Sequence, residues 1–288
     1  MSSSHSPRRQ DNNLVVATRL HLGNAATPPD ATKTEEQITA FARLVATSCP
    51  KNTTKAIIAV DATPKVEGYD YVQAIRDACK GLKTTHPNLP IPQVLPVTPW
   101  GKFVPALNAI IAVAVKEHDA KLLLFVSAET TASPASIQTL CENAEPDDTL
   151  VAGALLGGHI HQHQNNHTDA CSKVDLTGRT SPWNTLSVWK LSKLALTGFQ
   201  LVSEGLLTDD DTEPSYGIEE VVAIAMLQKL LGTDQAKAKL IKLPGIEWDQ
   251  VFEDAERRNW HERKMMSKVD RADRQLKLTG LTGSVYHC

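Results

Sequence analysis

The chain has 288 residues and a formal net charge of -3, with 22% charged and 5% aromatic side chains. That length suits one large α/β domain or two small ones with a sizeable core. The near-neutral balance gives no general pull toward nucleic acid or an anionic membrane, and no apolar run is long enough to cross a bilayer.

Residues 1–13 are polar and Ser-rich and carry Arg8 and Arg9. They lack an apolar segment, so they read as a disordered tail and not as a secretory signal. A short buried strand follows within Asn13 to Leu22, ending at Gly23-Asn24. Thr34 to Val45 has a helical pattern opened by Thr34-x-x-Gln37, a capping box. Lys55 to Val60 is a second buried strand, stopped by Asp61. A helix fits Tyr71 to Leu82, a strand Pro92 to Val97, and a helix Val104 to Glu117. Leu122 to Val126 is an apolar run of strand length that ends in Ser127, Ala128 and Glu129, with a helix from Pro134 to Cys141 behind it. This rhythm predicts a mostly parallel twisted sheet with helices on both faces. Right-handed crossovers then put Asn24, Asp61 and Glu129 along one edge, where open α/β sheets place ligands.

Beyond Asp147 the pattern loosens. Thr149 to Leu156 reads as a strand and runs into a polar, His-rich loop, 159–181. Trp183 to Trp189 reads as extended or mixed and Lys190 to Leu196 as helical. An acidic loop, 209–213, precedes a strong helix from Ile218 to Leu231. Residues 246–288 are highly charged and predict a C-terminal helical extension to a domain spanning 14–245. His159, His161 and His163 alternate, so an extended chain would put them on one face. With His167 they offer a transition-metal site, though a mobile polar loop is the preferred reading. Five cysteines, Cys49, Cys79, Cys141, Cys171 and Cys288, form no Cys-x-x-Cys pair. An odd, scattered set predicts reduced thiols and a cytoplasmic protein.

Five segments together carry a resemblance: Ala56 to Thr63, Gly101 to Ile110, Phe125 to Glu129, Asn184 to Phe199, and Glu219-Glu220-Val221. In that order, over roughly residues 14 to 231, they resemble the family-2-like glycosyltransferases of the GT-A fold, within the nucleotide-diphospho-sugar transferases. The resemblance implies a donor site of Thr18, Arg19, Asp61, Lys102, Asn108, Ser127, Ala128 and Glu129, with Asp61 accepting a hydrogen bond from a base edge. It implies Trp183, Asn184 and Trp189 on the acceptor side. Glu220, with its neighbour Glu219, would be the base of an inverting transfer from a nucleotide-diphosphate sugar to an unknown acceptor.

Three positions depart from the family. Ala62 and Leu107 replace an aspartate and an arginine, and Ser127 replaces the first of two metal-binding aspartates. The implied Mg²⁺ or Mn²⁺ is therefore expected to bind weakly or not at all, through Glu129 with help from His161. The alternative is an inactive homologue that binds a nucleotide, a sugar or a protein. A nucleotidyltransferase is disfavoured because its Gly-rich basic first loop is missing. The partners expected are small molecules and neither nucleic acid nor a membrane span, with a homo-oligomer left open.

Overall fold

The computed structural model describes residues 13–22, 27–48, 55–162, 171–205, 218–248 and 255–288. The expected tail therefore lies outside the described residues except for Asn13. Asn24, Cys49, His163, His167 and the acidic loop lie outside them too.

The first half follows the sequence rhythm: β1 (Leu14–Leu20), α1 (Ala31–Ser48), β2 (Lys55–Asp61), α2 (Tyr71–Thr85), β3 (Gln93–Val97), α3 (Val104–Lys116) and β4 (Leu122–Val126). The strands are continuous apolar runs because both their faces are covered. Val15, Ala17, Ile57, Leu123 and Phe125 face α3 and a later helix. Val16, Ile58, Val60, Leu122 and Leu124 face α1, α2 and α4 (Pro134–Ala144). Successive strand side chains point to opposite faces, so one run feeds two cores. Helix α1 begins three residues before the expected capping box. Asp30 accepts from Thr32 N at 2.8 Å and from Lys33 N at 3.3 Å, which satisfies the first-turn donors.

The remaining elements are β5 (Thr130–Ala132), β6 (Thr149–Ala154), β7 (Ser172–Asp175), β8 (Leu186–Lys190), α5 (Leu191–Leu194), α6 (Glu219–Leu231), β9 (Lys237–Ile241), β10 (Ile246–Trp248), α7 (Ala255–Thr279) and β11 (Ser284–His287). The main sheet has the order β3-β2-β1-β4-β8-β6-β9-β11-β7. Neighbours are parallel except at β8, which runs against β4 and β6, and at β7, which runs against β11. The result is an α/β fold with a mostly parallel sheet and helices on both faces, as the sequence predicts. Strands β2, β1 and β4 are adjacent and parallel, so Asp61, the last residue of β2, and Glu129, just beyond β4, lie at one edge.

The C-terminal segment is more than a helical extension. Its helix α7 buries Ala272 in the core, and β11 lies inside the sheet between β9 and β7. Cys171 and Cys288 are joined in a disulfide across a sequence separation of 117. This corrects the reduced state expected of all the thiols, on which the cytoplasmic expectation rested. Antiparallel pairing of β7 with β11 brings the two cysteines together, and their spacing in sequence carries no sign of it.

Candidate functional site

A cavity of about 720 Å³ opens at the carboxyl edge of β1 and β4. β1 and the residues after it contribute Thr18, Arg19 and His21, and the segment after β4 contributes Ser127, Ala128 and Glu129. Strand β8 runs the other way, so its entry, Trp183 and Asn184, reaches the same edge; Ser127 N donates to Thr185 O at 2.9 Å. The first turn of α6 brings Glu219 and Glu220, and α7 brings Lys268. The sequence-predicted Thr18, Arg19, Lys102, Ser127, Ala128, Glu129, Trp183, Asn184, Glu219 and Glu220 therefore line one cavity.

Glu220 is 5% exposed. Its Oε1 accepts a 2.5 Å hydrogen bond from Asn184 N. Burial, and then the neighbouring Glu219, push its carboxyl up to about 7, while Lys268 and the Asn184 N–H pull the other way. Asn184 is itself fixed, because Trp189 Nε1 donates to its Oδ1 at 2.9 Å. Trp189 is fully buried against Phe199, so its part is to position Asn184 from the core and not to meet an acceptor. The start of α6 is held from α7, where Gln275 Oε1 accepts from Ile218 N at 3.1 Å. Glu219 faces Arg19 at 3.9 Å, a long contact between partly exposed groups.

Trp183 lines the cavity but is 1% exposed. His159 stacks on it with ring centroids 3.7 Å apart, and Lys268 Nζ lies over its ring, 3.2 Å from the centroid. With an imidazole and an ammonium against it, the indole has little face left for a sugar. His159 accepts from Leu156 N at 2.9 Å through Nδ1, which leaves Nε2–H to donate to Ser181 O at 2.9 Å. Burial, and then Lys268, push its imidazole down to about 3, so it is neutral at ordinary pH.

Other expected residues sit elsewhere. Asp61 is 1% exposed, with Oδ1 accepting from Thr63 N at 3.0 Å and Oδ2 meeting Lys65 Nζ at 2.6 Å. Burial pushes its carboxyl up, but Lys65 and Thr63 outweigh that and the net direction is down. It borders a neighbouring cleft of about 460 Å³ that shares Leu22 and Tyr71 with the main cavity. Asn108 is not among the cavity-lining residues; it donates to Phe199 O and accepts from Phe199 N, both at 2.9 Å. The amide thus pins the segment after α5 to α3. Lys102 lends its backbone N–H, with those of Phe103 and Val104, to the Glu204 carboxylate that caps α3. His161 stacks on His287 at 5.2 Å instead of joining Glu129.

The implied metal fits this donor set poorly. The Ser127 hydroxyl donates to Glu129 Oε2 at 3.2 Å and pairs with Thr130 Oγ1 at 2.9 Å. Glu129 is then the one carboxylate at the position, at the low end of the one or two that hold Mg²⁺ against substrate phosphates and waters, and the Ser127 hydroxyl is already engaged. Among the described residues no three His, Cys, Asp or Glu side chains converge as ligands.

The sequence reading missed His21, Lys33, Tyr71, Trp100 and Lys268, all lining the cavity. Lys268 is one charge among many in 246–288, and no spacing marks it. Arg257, Arg258 and Trp260, the basic-aromatic group of that segment, have side chains outside those described.

No family model matches the chain, and no curated protein matches it. Solved structures similar to it include the 1–349 segment of S. aureus TarS, at 13% identity over 74% of this chain and 54% of that one, with a TM-score of 0.40. The same segment in complex with UDP-GlcNAc gives 12% identity, 74% and 52% coverage and a TM-score of 0.42. Its UDP complex gives 13%, 74%, 54% and 0.40. The match spans about half of the TarS segment, and scores of this size do not establish a shared fold.

Proposed function

We propose that the cavity binds a nucleotide-diphosphate sugar and that the chain is a glycosyltransferase-like protein, passing the sugar to an acceptor hydroxyl with inversion. Glu220 carries this reading. It is a buried carboxylate on the cavity wall, held by a backbone N–H, with its carboxyl pushed up to about 7. A general base is most effective when its pKa lies near the working pH.

In the transfer the acceptor oxygen attacks the anomeric carbon while its proton passes to Glu220. The bond from that carbon to the diphosphate oxygen breaks, and the electron pair leaves with the diphosphate. Asn184 N–H holds the carboxylate in place, and Glu219 keeps its basicity high. The nucleoside belongs toward the Asp61 cleft, which joins the main cavity at Leu22 and Tyr71.

The inactive binding module has one observation in its favour. Asp61, the expected base reader, is already held by Lys65 and Thr63. UDP-GlcNAc and UDP are suitable first probes of the full chain, by calorimetry and by thermal shift, since ligands of the native state raise apparent stability. Binding of UDP-GlcNAc followed by release of UDP as the sugar passes to an acceptor supports transfer. Binding without turnover on any acceptor selects the module, and no binding by any nucleotide or nucleotide sugar sinks the transferase reading and leaves the module a sugar or a protein as its ligand.

A further inference from the structure

The same cavity also brings together several groups able to donate hydrogen bonds to an anionic ligand. Arg19 projects from β1, which is fixed on both sides by β2 and β4, and meets Glu219 only at 3.9 Å. Lys268 comes from α7 and is seated over the Trp183 ring. That ring is itself anchored, since Trp183 Nε1 donates to Gly178 O at 2.9 Å. Gly178 also lets α7 come close, because a side chain there would run into the Lys268 carbonyl. The ammonium is thus held in place before any ligand arrives.

Two buried polar atoms of residues lining the same cavity, Thr18 Oγ1 and Asn184 Nδ2, find no hydrogen-bond partner among the described residues. Buried donors without a protein partner are costly, so each is met by water or by a ligand that reaches it. The Asn184 orientation is settled by its Oδ1, which accepts from Trp189 Nε1. Guanidinium, ammonium, amide N–H and hydroxyl can all donate, which suits a ligand made of acceptor oxygens. Guanidinium and ammonium groups are the usual partners of phosphate oxygens.

We propose that Arg19 and Lys268, aided by Asn184 and Thr18, hold the diphosphate of the donor and supply the positive charge that a divalent metal would otherwise bring. The proposal rests on the nucleotide-sugar reading of the cavity. It explains how Ser127 and Glu129 can form a poor metal site in a cavity that still takes a diphosphate. It also makes α7 part of the binding machinery, with Lys268 offsetting the charge on the leaving group.

Calorimetry of the full chain with UDP and with inorganic pyrophosphate, each in EDTA and in Mn²⁺, tests it. Both probes should bind in EDTA, with Mn²⁺ leaving their affinities nearly unchanged. Lys268→Met and Arg19→Met should each weaken both by about 10-fold or more, the usual effect of losing one charge-assisted hydrogen bond. Lys268→Arg should restore most of the affinity lost in Lys268→Met, which a purely structural role would not require. The metal comparison needs no variant, so it decides even if a substitution impairs folding.

UDP binding that appears only with Mn²⁺ would overturn the proposal while leaving the nucleotide reading intact. Lys268→Met binding as the wild type does, with an unchanged melting midpoint, would overturn it as well. If pyrophosphate binds without metal but no nucleotide or nucleotide sugar does, the diphosphate clamp stands and the transferase reading falls. If neither probe binds in either condition, the clamp falls, and the transferase reading falls with it only when every other nucleotide and nucleotide sugar also fails to bind.

Discussion

Strands β1 to β4 and strands β6 to β9 with β11 build the two halves of one sheet by different rules. In the first half helices separate the strands, β1, β2 and β3 pair in parallel in sequence order, and β4 returns to pair in parallel with β1. In the second half β8 is inserted antiparallel between β4 and β6, and β11 arrives from the chain terminus to lie between β9 and β7. The first half supplies the edge on which the cavity sits, through Arg19 and the segment from Ser127 to Glu129. The second supplies Trp183, Asn184, Glu220 and Lys268 from three separate elements. Locally determined structure thus provides the platform, and long-range pairing assembles the reactive groups upon it.

The sharpest way to break this division is at Glu220. Glu220→Gln should keep the fold and donor binding, while turnover falls by roughly 10²–10⁴-fold. Glu219→Gln should do less, since adjacent helical positions point about 100° apart. The pH dependence gives an independent check. The Glu220 carboxyl is raised in the folded state from 4.5 to about 7, so its stabilising contribution is full below the lower value. That contribution is lost as pH rises through about 7, and Glu220→Gln should remove this loss of stability. Transfer should run the other way and rise with pH over the same window, because the base must be unprotonated. Equal turnover in both variants and the wild type would place the base in another residue.

The disulfide tests the second half alone. Cys288→Ser, or reduction, should lower stability by about 2–5 kcal/mol in denaturant titrations. The Cys171–Cys288 bond closes a long loop around β8, α6 and α7. A thiol titration of the unreduced, unfolded chain that finds all five cysteines free would remove the bond from the account.

Gly178→Ala probes how closely α7 is docked. The added methyl would meet the Lys268 carbonyl, so it should cost about 1–3 kcal/mol as overpacking. It should also weaken pyrophosphate binding by displacing Lys268. Unchanged stability and affinity would show that α7 adjusts freely.

The smallest expected effect lies at the joint between the halves. Asn108→Ala removes two hydrogen bonds to the Phe199 backbone and should cost about 1–2 kcal/mol. Nucleotide affinity should scarcely change, since Asn108 does not line the cavity. A large loss of affinity with normal stability would return Asn108 to the donor site, where the family resemblance put it.

The sequence by itself determined the first half, and for a physical reason. Strands β1, β2 and β4 are buried on both faces, so they appear as unbroken runs such as Ile57 to Val60 and Leu122 to Val126. Each helix after them carries its own start signal, as at Asp70, which caps Gln73 N, and at Ser133-Pro134. The carboxyl-edge placement of Asp61 and Glu129 then follows from crossover handedness. Glu220 was singled out by the family resemblance alone, since an acid in a helix's first turn also serves simply to stabilise the helix.

What remained hidden depends on contacts between distant segments. Strand β11 is four residues long and β7 is part of a polar loop, so neither carries a periodic pattern of its own. Their pairing, and the cysteine bond beyond it, exist only once the sheet has formed. The charge on Lys268 and the apolar indole of Trp183 give no sign in sequence that they meet. Asp61 and Asn108 look alike as polar residues in a family motif. Only the packed structure shows that one is paired with Lys65 and that the other clamps Phe199. A side chain's type limits what it can bind, but its partners are chosen by the tertiary structure, because burial decides which polar groups must satisfy one another.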